Sequence, residues 1–302
     1  MSTLPVPSWL KEMVGRKKAA LRSVQALAAR ESIKAHTLHT VCQAAKCPNQ
    51  GECFNAAEAT FMVLGDRCTR GCRFCAVERS KPLPPDENEP QRVAEAVEEW
   101  KLRYAVLTMP TRDDLQDGGA AHFARVITAI RQRTPAVKIE PLISDLGGSE
   151  AALRTLLQAG PDVLAHNVET IPELYGAVRI GADFNRSLRL LATCKKIAPQ
   201  ILTKTGFMVG LGETDEQVRQ LLRTLCGAQV DLVTIGQYLS PSAAHYPVAS
   251  YPELSAYREW EKYALSLGFK AVAAGPLVRS SYRAGALYRQ AKGDCCCQST
   301  CG

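Results

Sequence analysis

The sequence predicts an α/β protein: a partial (β/α)6 barrel of TIM-like form over residues 59–275, with an N-terminal extension (1–58) and a C-terminal one (276–302). Three observations lead there. From about Ala59 onward, short apolar runs alternate with amphipathic stretches of helical length, the pattern of repeated βα units on a parallel sheet. The 302 residues are about twice an ordinary domain, enough for two domains or one large α/β domain. With 46% hydrophobic and 22% charged residues, the chain can bury a full core and has the composition of a globular protein.

Strands are expected at 59–64, 104–108, 137–143, 163–167, 202–209 and 232–237, where apolar residues run together. Helical patterns fall between them at 91–101, 121–133, 150–159, 185–197 and 215–226, the first following Glu89-Pro90, a helix-start signal. A last helix near 257–267 precedes a short apolar segment at 271–274, and the Pro-rich stretch 81–90 reads as a surface loop. Right-handed crossovers wrap such units into a barrel or an open doubly wound sheet, and six of them make a partial barrel. Chemistry in such arrays sits at the C-terminal ends of the strands. There lie Cys68, Cys72 and Cys75, then Arg112-Asp113-Asp114, Asn167 with Glu169, and Gly210 to Glu213.

No apolar run approaches the roughly 18 residues of a membrane span, and residues 1–10 carry two prolines and no apolar signal core. Neither membrane insertion nor secretion is expected, and the location expected is cytoplasmic. Of the net charge of +7, residues 1–40 contribute +5, seven Lys/Arg against two Glu. This basic arm reads first as a solvated segment and second as a surface for an acidic protein; no nucleic-acid partner is expected.

Twelve cysteines must be explained by position: six between Cys42 and Cys75, then Cys194, Cys226, and four in the tail, Cys295, Cys296, Cys297 and Cys301. Cys68-Thr-Arg-Gly-Cys72-Arg-Phe-Cys75 is a CxxxCxxC loop directly after a strand, with Gly71 expected to give the backbone its freedom to fold. A zinc site or a plain electron-carrying cluster would want a fourth protein ligand, whereas three thiolates on a [4Fe–4S] cube leave one iron open to a small molecule. A second set, Cys42, Cys47 and Cys53 in CxxxxCxxxxxC, also stops at three. Arg279-Ser280-Ser281-Tyr282, taken alone, is a polar turn. His166 and His245 read as structural histidines, and Lys204 and Arg112-Asp113-Asp114 either line the cavity or form salt bridges.

The CxxxCxxC spacing and its place after the first strand resemble the radical S-adenosylmethionine (SAM) superfamily. More specifically, CPNQGEC, CTRGCRFC, RDDLQDGG, AHNVET, TKTGFMVGLGET, GQYL and RSSY occur in the order of the lipoyl synthase family, a likeness covering residues 8–289. That resemblance implies a barrel of the radical SAM type and two [4Fe–4S] clusters with S-adenosyl-L-methionine. One cluster is implied on Cys68, Cys72 and Cys75. An auxiliary cluster is implied on Cys42, Cys47, Cys53 and the hydroxyl of Ser281. It further implies a 5′-deoxyadenosyl radical that abstracts hydrogen from C6 and C8 of an octanoyl-lysyl group, and sulfur taken from the auxiliary cluster. Serine oxygen is a harder, poorer match for cluster iron than thiolate, which suits an iron that leaves first.

By likeness to the related biotin synthase, Glu169 holds the ribose hydroxyls beside Asn167, and Arg186 takes the methionyl carboxylate, while Gly210 and Gly212 let the backbone approach adenine. The implied partners are an octanoylated lipoyl-domain or glycine cleavage H carrier protein, a low-potential donor such as ferredoxin or flavodoxin, and an iron–sulfur cluster carrier. The chain departs from the family where Met109-Pro110-Thr111 precede Arg112. Two other readings are a biotin-synthase-like or methylthio-transferring radical enzyme, and a non-enzymatic iron–sulfur carrier.

Overall fold

A computed structural model describes residues 4–19, 23–44, 47–55 and 58–294. The tail cysteines Cys295, Cys296, Cys297 and Cys301 lie outside them. Helices α1 (Ser8–Ala19) and α2 (Val24–Ala35) lead into strand β1 (His39–Thr40) and the short helices α3 (Val41–Ala44) and α4 (Gln50–Asn55). Strand β2 (Thr60–Met62) opens the repeated part, followed by the two-residue strands β3 (Arg67–Cys68) and β4 (Glu78–Arg79). Then come α5 (Glu89–Glu99), β5 (Tyr104–Thr108), α6 (Ala120–Arg133), β6 (Lys138–Leu142), α7 (Glu150–Gln158) and β7 (Val163–Ala165). The chain continues through α8 (Tyr175–Val178), α9 (Phe184–Ile197), β8 (Leu202–Val209), α10 (Asp215–Gly227), β9 (Leu232–Gln237), α11 (Leu254–Leu267), β10 (Ala271–Gly275) and α12 (Ala284–Lys292).

Eight strands form one sheet in the order β1-β2-β5-β6-β7-β8-β9-β10, parallel throughout except for β1, which pairs antiparallel with β2 at one edge. The sheet is curled. Val163, Leu202, Leu232 and Ala271, the first residues of β7, β8, β9 and β10, form one apolar cluster with Leu287 and Tyr288 of α12, and Tyr104, the first residue of β5, packs against it. In a flat sheet β5 and β10 would lie five strand spacings apart, about 24 Å. A helix of nine residues, roughly 13 Å long, reaches both only if the sheet bends around it. Helix α12 thus plugs the N-terminal end of the barrel and leaves the C-terminal end for a site.

The six expected strands are present. Two more join them. β10 pairs with β9 over five residues, but its run of small residues, Ala-Val-Ala-Ala-Gly, gives too little apolar signal to mark a full strand. β1 has two residues and no periodicity to read. The fourth expected strand ends at Ala165, short of Asn167, because the backbone leaves the pleat before Glu169, whose φ is 65°.

Inside the barrel, Lys204 of β8 and Glu140 of β6 meet at 2.7 Å, each 1% exposed, and the Tyr104 hydroxyl donates to the same carboxylate. Lys204 is therefore a salt-bridge residue. Removing one member would leave the other charge buried and unpaired, a loss of about 3–5 kcal/mol. Among the described residues no helix is long and apolar enough to cross a membrane.

Candidate active site

The loop after β2 is folded back by a two-stranded ribbon in which β3 and β4 pair in parallel, Arg67 with Glu78 and Cys68 with Arg79. The ribbon draws Cys68, Cys72 and Cys75 close enough that each sulfur's charge acts on the others, and all three are half-buried free thiols. Burial pushes the Cys72 thiol up to about 11, against the opposing pull of Arg179, and the Cys75 thiol up to about 12. Such thiols become thiolate ligands only where a cation takes the place of the proton, as cluster iron does. Backbone N–H groups of Arg70 and Val77 already donate to the sulfurs of Cys68 and Cys75, each at 3.4 Å. Gly71 does not have left-handed backbone, and a Cβ there would lie 2.9 Å from the guanidinium of the exposed Arg79.

The loop is braced on every side. Behind it, Arg112, 1% exposed, donates to the carbonyls of Leu64 and Leu83 and pairs with Asp114, tying together the chain that enters and the chain that leaves. The Thr111 carbonyl of the Met109-Pro110-Thr111 segment accepts from both the N–H and the hydroxyl of Thr69, a footing made by the backbone. In front, the Tyr246 N–H donates to the Arg73 carbonyl, and His245 Nε2 lies 3.2 Å from the Cys75 carbonyl oxygen. His166 is structural: fully buried, its ring bridges the Ile143 carbonyl and the Ser187 hydroxyl, and burial lowers its pKa to about 4.

Arg70, inside the cysteine loop, donates to Asp113 and to Asp145, each at 2.7 Å, and Arg186 reaches the same Asp145 carboxylate at 3.4 Å. Burial acts to raise the Asp145 pKa, but the hydrogen bonds from Arg70 outweigh it and hold the group down to about 2. The structure thus brings Arg186 into one charge network with the cysteine loop. Asn167 and Glu169 follow β7. The left-handed backbone of Glu169, uncommon for a residue with a side chain and a mark of functional strain, is held by its N–H to the Gly206 carbonyl and by the Met208 N–H to its own carbonyl. Burial raises the Glu169 carboxyl against the pull of Arg179 and a hydrogen bond from Asn167.

Arg179 is the residue sequence reasoning missed. It follows α8, donates to the Tyr175 and Ser187 hydroxyls, and acts electrostatically on both Glu169 and Cys72. Nothing in the pattern around it distinguishes it from a surface arginine. Gly210 and Gly212 both have positive φ, 92° and 119°. The space beside Gly210 is filled by Gln237 and Ser250, and the Glu213 carboxylate folds back onto the N–H groups of Gly210 and Leu211; at Gly212 a Cβ would meet only Ala249, 3.9 Å away.

The second cysteine set builds a separate chamber. Cys42, Cys47 and Cys53 line a cavity together with Asn49, Glu58, Arg279 and Ser281. Burial pushes Cys42 up to about 11 and Cys53 up to about 12, the latter also through Cys42, Cys47 and Glu58. Asn49, 1% exposed, donates through Nδ2 to the Leu277 carbonyl at 2.6 Å while its Oδ1 has no partner, an orphaned acceptor in a chamber lined by three thiols. Among the described residues, no three His, Cys, Asp or Glu side chains converge on a single metal ion. Three thiols lining one cavity have the donor chemistry of a polynuclear cluster, where each thiolate holds a different iron. Both cysteine sets therefore fit iron–sulfur clusters.

The RSSY turn joins this chamber to the barrel. The Tyr282 hydroxyl and Arg283 donate to Glu52 at 2.9 Å, and Lys17 of α1 pairs with Glu52 as well. Ser280 accepts from Asn167 Nδ2 at 3.3 Å, and Asn167 Oδ1 is buried without a partner. A Cβ at Gly206 would meet Thr234 Oγ1, Asn167 Oδ1 and Ser280 Cβ, so glycine permits this contact.

A model of the radical SAM superfamily matches residues 62–225. Lipoyl synthase of Caldicellulosiruptor saccharolyticus is 50% identical over 278 residues, covering 92% of this chain and 95% of that protein. Lipoyl synthase of Chloroflexus aurantiacus is 53% identical over 247 residues, covering 82% and 81%. Among solved structures, methylornithine synthase superposes with a TM-score of 0.55 at 17% identity, over 70% of this chain and 63% of that one, a likeness of fold.

Proposed function

Since the chain belongs to the lipoyl synthase family of the radical SAM superfamily, we propose that its two cysteine constellations divide one reaction between them. The enzyme inserts sulfur into an octanoyl group borne by a carrier protein, at C6 and C8. No acid, base or nucleophile of a protein can functionalise an unactivated C–H bond, so the reactive species comes from a cofactor. A [4Fe–4S] cluster on Cys68, Cys72 and Cys75 supplies, when bound, the electron that cleaves S-adenosylmethionine to methionine and a 5′-deoxyadenosyl radical.

The chain's own residues orient and supply. Glu169 holds the ribose hydroxyls, with Asn167 fixing its carboxylate, and Arg186 receives the methionyl carboxylate from a side chain already fixed by Asp145. Gly210 and Gly212 shape the turn against adenine. Cys42, Cys47, Cys53 and Ser281 hold a second cluster that is spent as the sulfur substrate, and residues 1–58 and 276–302 act together as the module that houses it. The single observation that carries this reading is the Asn167–Ser280 hydrogen bond. It joins the segment bearing Glu169 to the neighbour of Ser281, the kind of link a radical source and a sulfur source serving one substrate would need.

The carriers this reading fits are lipoyl domains and glycine cleavage H protein, the acidic partners that the basic N-terminal arm would meet. Ferredoxin or flavodoxin supplies electrons, and an iron–sulfur carrier rebuilds the spent cluster. Eight free thiols among the described residues suit a reducing, cytoplasmic compartment. Anaerobic reconstitution tests the proposal: about eight irons per chain, with release of 5′-deoxyadenosine under reduction, is the expected result. Cluster transfer to an acceptor without nucleoside release would refute it.

A further inference from the structure

Glu58 lines the same chamber as Cys42, Cys47, Cys53 and Ser281, yet nothing above gives it a task. Its place is fixed through the backbone: the Glu58 N–H donates to the Cys53 carbonyl at 2.8 Å, so the residue is tied to one of the three thiol bearers. Its carboxylate, half-buried, makes no hydrogen bond or ion pair among the described residues. Arg283 and Arg289 act on it electrostatically without pairing with it, and Arg283 is directed to Glu52. The chamber's oxygen donors thus include the carboxylate of Glu58 as well as the hydroxyl of Ser281, and with three sulfur donors these give one more ligand than a four-iron cube needs.

We propose that Glu58 is an exchange ligand, taking the auxiliary iron that Ser281 releases. The inference rests on the assignment of the auxiliary cluster to this chamber. In the exchange one iron–oxygen bond to Ser281 breaks and one to a Glu58 carboxylate oxygen forms. The serine oxygen leaves as a hydroxyl, taking up the proton that the carboxyl gives up, and no electron moves. Carboxylate oxygen, like serine oxygen, is a hard donor, so the exchange keeps that iron weakly held throughout.

The test uses the full chain, reconstituted anaerobically with iron and sulfide, in four forms: unsubstituted, Glu58→Gln, Ser281→Ala and the double variant. The readouts are iron per chain and the electron paramagnetic resonance signal of a three-iron cluster after mild oxidation. Unsubstituted protein, Glu58→Gln and Ser281→Ala are each expected to hold about eight irons. With S-adenosylmethionine present to cap the open iron of the cluster on Cys68, Cys72 and Cys75, the double variant is expected to hold about seven, with a three-iron signal that the single variants lack. If Ser281→Ala and the double variant have the same iron content and the same signal, the exchange is overturned. Loss of the auxiliary cluster from Glu58→Gln alone overturns it too, because the carboxylate would then serve assembly. Four irons in the unsubstituted chain would overturn the chamber assignment itself, and the exchange with it.

Discussion

Cys72→Ala is expected to abolish S-adenosylmethionine cleavage and every thiolated product, and to lower the iron content from about eight to about four per chain. Cys72 is the middle cysteine of the loop, and it is electrostatically coupled to Arg179, Glu169 and Cys68. Alanine leaves two thiols, too few to hold a cube with one open iron, and without that iron nothing chelates the methionyl group. The fold should survive, because the loop's footing comes from Arg112, Thr111 and the paired strands β3 and β4 rather than from the thiols. Chromatographic assay of 5′-deoxyadenosine with parallel iron determination checks the prediction. Normal nucleoside release by a Cys72→Ala protein would contradict the placement of the radical source.

Cys47→Ala is expected to separate the two halves of the reaction. Iron falls again to about four per chain. Here, however, 5′-deoxyadenosine is still released, while neither 6-thio nor 8-thio product forms from an octanoyl-lysyl peptide. The reasoning is spatial: Cys47 lines the second chamber with Ser281 and shares no hydrogen bond with the Cys68–Cys75 loop. The carbon radical would still be generated and would find no sulfur within reach. A Cys47→Ala protein that makes the doubly thiolated product would show that the sulfur comes from elsewhere. The pair of variants forms a dissociation that neither a carrier protein nor a single-cluster radical enzyme would reproduce.

Much of the barrel was legible because its strands are long, apolar runs separated by amphipathic helices, a pattern set by burial on both faces of a parallel sheet. β5, β8 and β9 fall on their expected bounds. What periodicity could not show is made by small residues or by single turns: β10 is alanine and glycine, and β1 is two residues long. The cysteine sets announced themselves by spacing, but their supports did not. Arg112, read as a cavity or salt-bridge residue, is the buried clamp beneath the loop. The neighbour of Gly71 is Arg79, eight residues on, a contact created by strand pairing that no local rule encodes. Arg179 and Glu58 were invisible for the same reason. Each is an ordinary charged residue until tertiary structure places it beside a sulfur.

The central claim is that this chain carries its own sulfur source in the chamber of Cys42, Cys47, Cys53 and Ser281, and isotope labelling reaches it most directly. Protein whose clusters are reconstituted with 34S-sulfide is given an octanoyl-lysyl peptide, S-adenosylmethionine and a reductant for a single turnover, with unlabelled sulfide in solution. Both the 6-thio intermediate and the doubly thiolated product should carry 34S, with no more than one lipoyl group per chain. Unlabelled product, or S-adenosylmethionine cleavage with no thiolated peptide at all, would contradict the account.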